Sequence, residues 1–206
     1  HTHEKADWVY DNCTFVEAYS YGTAIGVVNL TGEGRSAEVI DVLSEYEDGR
    51  IEDTIDDYYE RVEDEMERTL AFCPSTLKRN SKGESAIGDW ICDSIRGSFD
   101  ASVVLMNSGG IRADLERGDV TVGDIYAIMP FDNTIVLVEL TGPQLKEALE
   151  SGVATDESGG LLHGIVQVSG LNFTWDPKAP NGQKVKNVYV DGRPLGSDAR
   201  YLVATN

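Results

Sequence analysis

Apolar positions along this chain fall into two kinds of run. Between residues 51 and 70, Ile51, Ile55, Tyr58 or Tyr59, Val62, Met66 and Leu70 recur at helical spacing among acidic residues, which predicts one amphipathic helix. Phe72-Cys73-Pro74-Ser75 ends it, because proline cannot continue a helix, so Pro74 marks a junction. A second helical pattern follows Ser81-Lys82-Gly83-Glu84, a capping-box spacing, with Ile87, Trp90, Ile91 and Ile95 along one face and Gly97 at its end. A third opens at Thr141-Gly142-Pro143, with proline in the first turn and Leu145, Ala148 and Leu149 facing inward. The other runs are short and β-branched: residues 101–106, which read as a buried strand, then 135–140, 165–168, 171–175 and 185–190, the last followed by an Asp191-Gly192 turn. Within 171–175, Phe173 and Trp175 alternate with polar neighbours and read as core. Near the start, residues 14–19 and 24–30 read as two strands around a turn at Tyr21-Gly22. Strands and helices mixed without a repeating period exclude a solenoid and predict an α+β fold.

Composition sharpens this picture in three places. The chain has 206 residues, 41% of them hydrophobic, enough for a sizeable core, and no apolar run approaches the ~20 residues needed to cross a bilayer as a helix. Its formal net charge of −19 excludes duplex nucleic acid as a partner, since that binding depends on clustered Lys and Arg. A free nucleotide needs only a local cationic patch. Residues 41–70 hold thirteen Asp or Glu against three Arg, which marks a solvated face rather than a metal site. Cys13, Cys73 and Cys92 form no metal-binding CxxC pattern, and Cys92 falls on the apolar side of its helix as a core residue. The lone His163, near a strand, reads as a packing or surface residue.

Candidate chemistry concentrates where the strand 101–106 ends. Asn107-Ser108-Gly109-Gly110-Ile111-Arg112 offers an amide with donor and acceptor faces, two glycines able to take positive φ or let backbone approach a ligand, and a fixed cationic fork. Loops at strand ends are where sites sit. Phe131, held by Pro130, supplies a flat face for a heteroaromatic ring. Those groups suit a base and a sugar; a tight turn with a surface arginine is the alternative that these residues alone leave open. At the N-terminus, the imidazoles of His1 and His3 share one face of an extended segment, as ligands of one metal or two adjacent ones would, and as a solvated chain end also would.

Several motifs in order resemble one family. NSGGIR at 107–112, RGDVTVGDIYAIMPFDNTIVLVELTG from Arg117, VQVSGLNFTWDP from Val166 and YLVATN from Tyr201 resemble the C-terminal domain of the 5′-nucleotidase family. Its members are two-domain metallophosphoesterases that include 5′-nucleotidases, UDP-sugar hydrolases and 2′,3′-cyclic nucleotide phosphodiesterases. The resemblance covers roughly residues 84–206. It implies that residues 1–48 end an α/β/β/α metallophosphatase sandwich, that 49–74 is an interdomain linker helix, and that 75–206 is the nucleotide-binding domain. It also implies that Asn107, Gly109, Gly110, Arg112 and Phe131 bind the nucleoside and that His1 and His3 hold metal.

In such an enzyme two divalent ions, zinc, manganese or similar, polarise the phosphoryl oxygens and lower the pKa of the attacking water. The resemblance implies that the Asn-His-x-x-Asp catalytic motif and the other metal ligands precede His1. A second aromatic residue and a Gly-Gly-Asp-Gly motif would follow Asn206. Glu84-Ser85-Ala86-Ile87-Gly88-Asp89 resembles the family's Glu-Thr-x-x-Gly-Asn-type motif, but Ser81 stands where its nucleotidases often carry arginine, with Arg79 and Lys82 the nearest cations. That departure keeps a UDP-sugar or a cyclic nucleotide open as substrate. The family's members are commonly periplasmic, secreted or surface-attached, and this placement is implied here. A non-catalytic nucleotide-binding or surface-interaction module is the competing reading.

Overall fold

The computed structural model describes residues 4–11, 13–32, 34–43, 48–80, 82–162 and 164–206, and the chain divides into two compact units, residues 1–62 and 63–206. In the first unit, β1 (Lys5–Tyr10) pairs antiparallel with β2 (Cys13–Ala18), and β3 (Ala24–Thr31) with β4 (Gly34–Asp41). Both strands expected from the sequence are present. Each pairs with a strand that the pattern does not single out, β1 or β4. Between β2 and β3 the chain reverses through Tyr19, Tyr21 and Gly22, all at positive φ. The hairpins meet where β3 passes Val16: a Cβ on Gly26 would lie 2.7 Å from Val16 Cγ2. Val39 N also donates to Asp7 Oδ2 at 3.2 Å. Among this unit's described residues Ala24 alone is buried, and Trp8, Tyr10, Leu30, Ile51 and Ile55 are exposed.

The helix expected over 51–70 is shorter. Helix α1 (Gly49–Glu60) starts at Asp48, whose carboxylate accepts from Arg50 N at 3.0 Å, and a separate turn of helix, α2 (Glu63–Met66), follows. Glu60 would otherwise stack against Glu63 and Asp64 at three- and four-residue spacing, each pair costing roughly 0.2–0.5 kcal/mol. Leu70 and Phe72 belong instead to β5 (Thr69–Cys73), which pairs antiparallel with β7 (Gly118–Thr121). Spacing alone could not separate a helix's last turn from a short strand, and the partner that decides it lies far along the chain.

The second unit is built around a four-stranded sheet in the order β8 (Val136–Thr141), β13 (Arg200–Thr205), β6 (Val103–Asn107), β9 (Val166–Ser169), with β6 and β13 parallel and the outer pairings antiparallel. Central β6 is buried on both faces. Val104 and Met106 pack with Ile87, Ile91 and Cys92 of α3 (Ala86–Phe99) and with Ile128 of α4 (Val122–Ile128). Val103 and Leu105 pack with Leu145 and Leu149 of α5 (Gly142–Gly152) and with a three-stranded sheet of β10 (Leu171–Trp175), β11 (Val185–Val190) and β12 (Arg193–Pro194). Phe173 and Trp175 are half-buried against this second core. α5 opens at Thr141, as its sequence predicts, and Thr141 N and Oγ1 both donate to Gln144 Oε1 at 2.9 Å. It is tied to β11 by buried Glu150, which accepts from Lys184 N and Val185 N at 2.9 and 2.8 Å.

Helix α3 departs from expectation in three ways. Ser81 lies outside the described residues, and the observed cap is Ser85, whose Oγ accepts from Gly88 N at 3.1 Å. Ser85 is itself held by Gln167 Oε1, which accepts from its N and Oγ at 3.0 and 2.8 Å. The helix does not stop at Gly97 but runs to Asp100, a left-handed cap at φ 50. Trp90 is 41% exposed rather than inward. It sits beside the buried stripe of Ile87, Ile91 and Cys92.

Burial, with the nearby Asp89 and Asp93 carboxylates, pushes the Cys92 thiol up to about 12. Since the thiolate is the reactive form, Cys92 is expected to resist alkylation by iodoacetamide at pH 8 in the folded protein, while exposed Cys13 reacts. Mass spectrometry of the labelled peptides checks this, and rapid native labelling of Cys92 would show that α3 opens locally.

Candidate functional site

The site grows from the end of β6. Four consecutive buried residues fix the strand, and the chain then turns through a single 3-10 turn, Ser108–Gly110, stopped where Ile111 N bonds to Ser108 O at 3.1 Å. Gly109 and Gly110 do not take the positive φ that glycine permits. What glycine supplies is room: a Cβ on Gly110 would lie 3.4 Å from both Asn107 Oδ1 and Met106 Cε. Arg112 N donates to Ile128 O at 2.7 Å, fixing the loop to the end of α4. Arg112 Nη1 donates to Gly109 O at 3.3 Å, and its guanidinium carbon lies 5.9 Å from the centre of the Phe131 ring, a cation–π approach. Phe131 is 52% exposed, so ring surface remains open to solvent.

Beside this turn lies a cleft of about 410 Å³ whose walls include Arg79, Asn80, Ser85, Ser108, Gly109 and Arg112. Of the expected residues, Gly109 and Arg112 line it; Asn107 borders a separate cavity with Thr205, and Phe131 joins through Arg112. The cleft brings in residues that no single motif marks. Leu77 and Leu115 exchange backbone hydrogen bonds of 2.8 and 3.0 Å, stapling the segment before α3 to the segment after Arg112. That staple sets Arg79 beside Asp114, whose Oδ1 accepts from Arg79 N at 2.8 Å and from its Nε at 3.3 Å. The backbone and guanidinium of Arg79 hold the Asp114 carboxyl below the usual carboxylate range. Arg79 and Lys82 are therefore separated in role, because Lys82 lines a different cavity with Trp175. On a chain of net charge −19, this cleft presents two guanidinium groups against one carboxylate.

Among the described residues, no group of three or more His, Cys, Asp or Glu gathers as a metal site would. His1 and His3, the expected metal ligands, lie outside the described residues, as does His163.

A family model described as 5′-nucleotidase, C-terminal domain, matches residues 63–206. The chain belongs to the 5′-nucleotidase family. It is 30% identical over 194 residues to the trifunctional nucleotide phosphoesterase protein YfkN of Bacillus subtilis, a match covering 88% of this chain and 13% of that protein. To the 5′-nucleotidase of Diplobatis ommata it is 28% identical over 225 residues, covering 93% of this chain and 38% of the other. Among solved structures, a 5′-nucleotidase precursor from Thermus thermophilus matches with a TM-score of 0.72 at 29% identity, over 94% of this chain and 41% of that one. The chain thus spans well under half the length of these 5′-nucleotidase family relatives. Membership bears out the α+β fold, and the matched region begins at Glu63, the first residue of the second compact unit.

Proposed function

We propose that residues 63–206 form the nucleoside-recognition part of a nucleotide phosphoesterase, and that the longer protein hydrolyses nucleotide phosphoesters. The observation that carries this reading is the Arg112 guanidinium set between Gly109 O and the open Phe131 ring, at the mouth of a locally cationic cleft, in a member of the 5′-nucleotidase family. Phe131 would stack the base, Asn107 and Arg112 would orient the nucleoside, and the glycine turn would let it approach the backbone. Such positioning lowers the barrier by holding the phosphoryl group in a near-attack geometry.

Two divalent ions would supply the Lewis acid and the activated water. In this chain His1 and His3 have the donor chemistry for a zinc-like ion, and they are the residues we assign to metal. We read residues 1–48 as the end of the metallophosphatase domain. We read 49–74 as the interdomain connection, with β5 at its end pairing with β7 of the second unit. A site outside the cytoplasm is supported by similarity to a cell wall protein of Listeria monocytogenes, 32% identical over 137 residues.

The test is phosphate release by the full-length protein with manganese or zinc from a panel of nucleoside monophosphates, a UDP-sugar and a 2′,3′-cyclic nucleotide. Release from the monophosphates is the expected result. Turnover of only the UDP-sugar or the cyclic nucleotide would move the assignment within the family. No release from any, together with retained nucleotide binding, would leave a binding module.

A further inference from the structure

The four-stranded sheet ends at β9, which pairs with β6 on one side and, among the described residues, with no strand on the other. In an antiparallel pair, opposed residues alternate between those that exchange backbone hydrogen bonds and those that turn theirs away. Ser108 N donates to Ile165 O at 3.3 Å, which sets the phase: Ile165, Gln167 and Ser169 face β6, and Val166 and Val168 turn their N–H and C=O groups to the free edge. Nothing among the described residues bonds to those four groups. A free edge recruits another chain unless it is blunted, and β9, Val-Gln-Val-Ser, carries no charge, proline or bulge that would blunt it.

The edge opens into a cleft of about 270 Å³ with two unlike walls. Leu171, Phe173 and Trp175 of β10 make one apolar and aromatic; Glu84 and Asp89, at the start of α3, make the other acidic. Asp93, one turn further along α3, accepts from Ser169 Oγ at 2.5 Å, so carboxylates follow β9 to its end. No Lys or Arg lines the cleft, and neither Glu84 nor Asp89 has an ion-pair partner among the described residues. Burial, with the Glu84 and Asp93 charges, holds the Asp89 carboxyl above the usual carboxylate range, a repulsion that an arriving cation relieves. An added strand sends alternate side chains to opposite faces, one set toward each wall.

We propose that the β9 edge docks an extended, basic peptide segment of a partner protein as a fifth strand, with apolar residues against Phe173 and Trp175 alternating with Lys or Arg against Glu84 and Asp89. Main-chain bonds to Val166 and Val168 supply the affinity, and the alternation supplies the specificity. A second copy of this chain, itself at net charge −19, meets like-charge repulsion here, whereas a basic segment is drawn in. The proposal stands independently of the nucleotide reading.

The experiment titrates full-length protein into a fluorescein-labelled peptide of alternating lysine and valine, followed by anisotropy. The same peptide N-methylated at every amide keeps its charges and side chains but cannot donate, and it is expected to bind about tenfold or more weakly, the worth of two or more hydrogen bonds. Glu84→Gln and Asp89→Asn should each weaken the unmethylated peptide about two- to fivefold, as partly exposed ion pairs do. A glutamate–valine peptide should not bind. Residue-resolved amide hydrogen exchange supplies the signature of strand addition: the peptide should slow exchange at Val166 and Val168 and leave Gln167, whose N–H already faces β6, unchanged. Equal binding of the methylated peptide would mean mere attraction between a cation and an acidic chain, and the proposal would be wrong. No binding of the lysine–valine peptide, or unchanged affinity in both variants, would refute it as well. Slow exchange at Val166 and Val168 before any peptide is added would also overturn it. If that protection rose with protein concentration, a second copy would occupy the edge; if it did not, the longer protein's own chain would cover it.

Discussion

Gly170→Ala is expected to destabilise the second unit by about 3–5 kcal/mol, combining backbone strain with a buried clash. Gly170 sits at φ +76, where an L side chain is strained whatever the space, and a Cβ there would lie 2.1 Å from Ser102 O and 2.7 Å from Arg96 Nε. Neither neighbour yields cheaply: Ser102 N is bonded to Leu202 O at 2.8 Å, and Arg96 is held by Ser102 O and by Asp191 at 3.2 and 2.6 Å. Gly192 provides the matched control. It has the same φ of +76 with nothing within 4 Å of its Cβ position, so Gly192→Ala carries the strain without the contact. Its expected cost is about 1–2 kcal/mol. Urea unfolding followed by circular dichroism measures both; equal costs would mean that β9 and α3 relax around the new methyl group.

In full-length protein, Arg112→Ala is expected to lower kcat/KM for a nucleoside monophosphate about 10- to 100-fold, chiefly through KM, the worth of one charge-assisted hydrogen-bonding group. The side chain is exposed, and its backbone N–H, which survives the substitution, anchors the loop to Ile128 O at 2.7 Å. Stability should therefore change by less than about 1 kcal/mol, as at most surface positions. Steady-state kinetics beside a thermal melt separates the two effects. A fall in kcat with KM unchanged would place Arg112 with the reacting group rather than with ground-state binding. A large drop in melting temperature would make it a structural residue, and the assignment of Phe131 would lose its neighbour.

Much of the second unit could be read from local pattern because local pattern decides it. Residues 103–106 are apolar, two of them β-branched, and they form a strand buried on both faces. Thr141-Gly142-Pro143 is a self-contained helix start, and α5 begins there. Where a distant partner decides, the pattern misleads. The Met66-to-Leu70 interval fits a helix until β7 offers Leu70's segment a strand to pair with. Ser85 caps α3 because Gln167, far along the chain, reaches its N and Oγ.

The candidate site divides in the same way. Asn107, Gly109, Gly110 and Arg112 are neighbours in sequence and are legible together. Their contact with Phe131 depends on α4 carrying the chain back, and the arrival of Arg79 depends on the bridge between Leu77 and Leu115. No spacing rule contains those two facts.

The double burial of β6 has a cost in specificity. A strand with one polar face resists slipping by a residue, since the slip would bury polar groups; Val103, Val104, Leu105 and Met106 are apolar on both sides and carry little of that protection. A one-residue slip would turn the Asn107 amide to the opposite face of the sheet. The guard against it sits at the other end of the strand, where Gly170 packs against the carbonyl of Ser102 so closely that only a side chain of hydrogen fits. The direction in which Asn107 points is thus set by a pin a full strand length away from it.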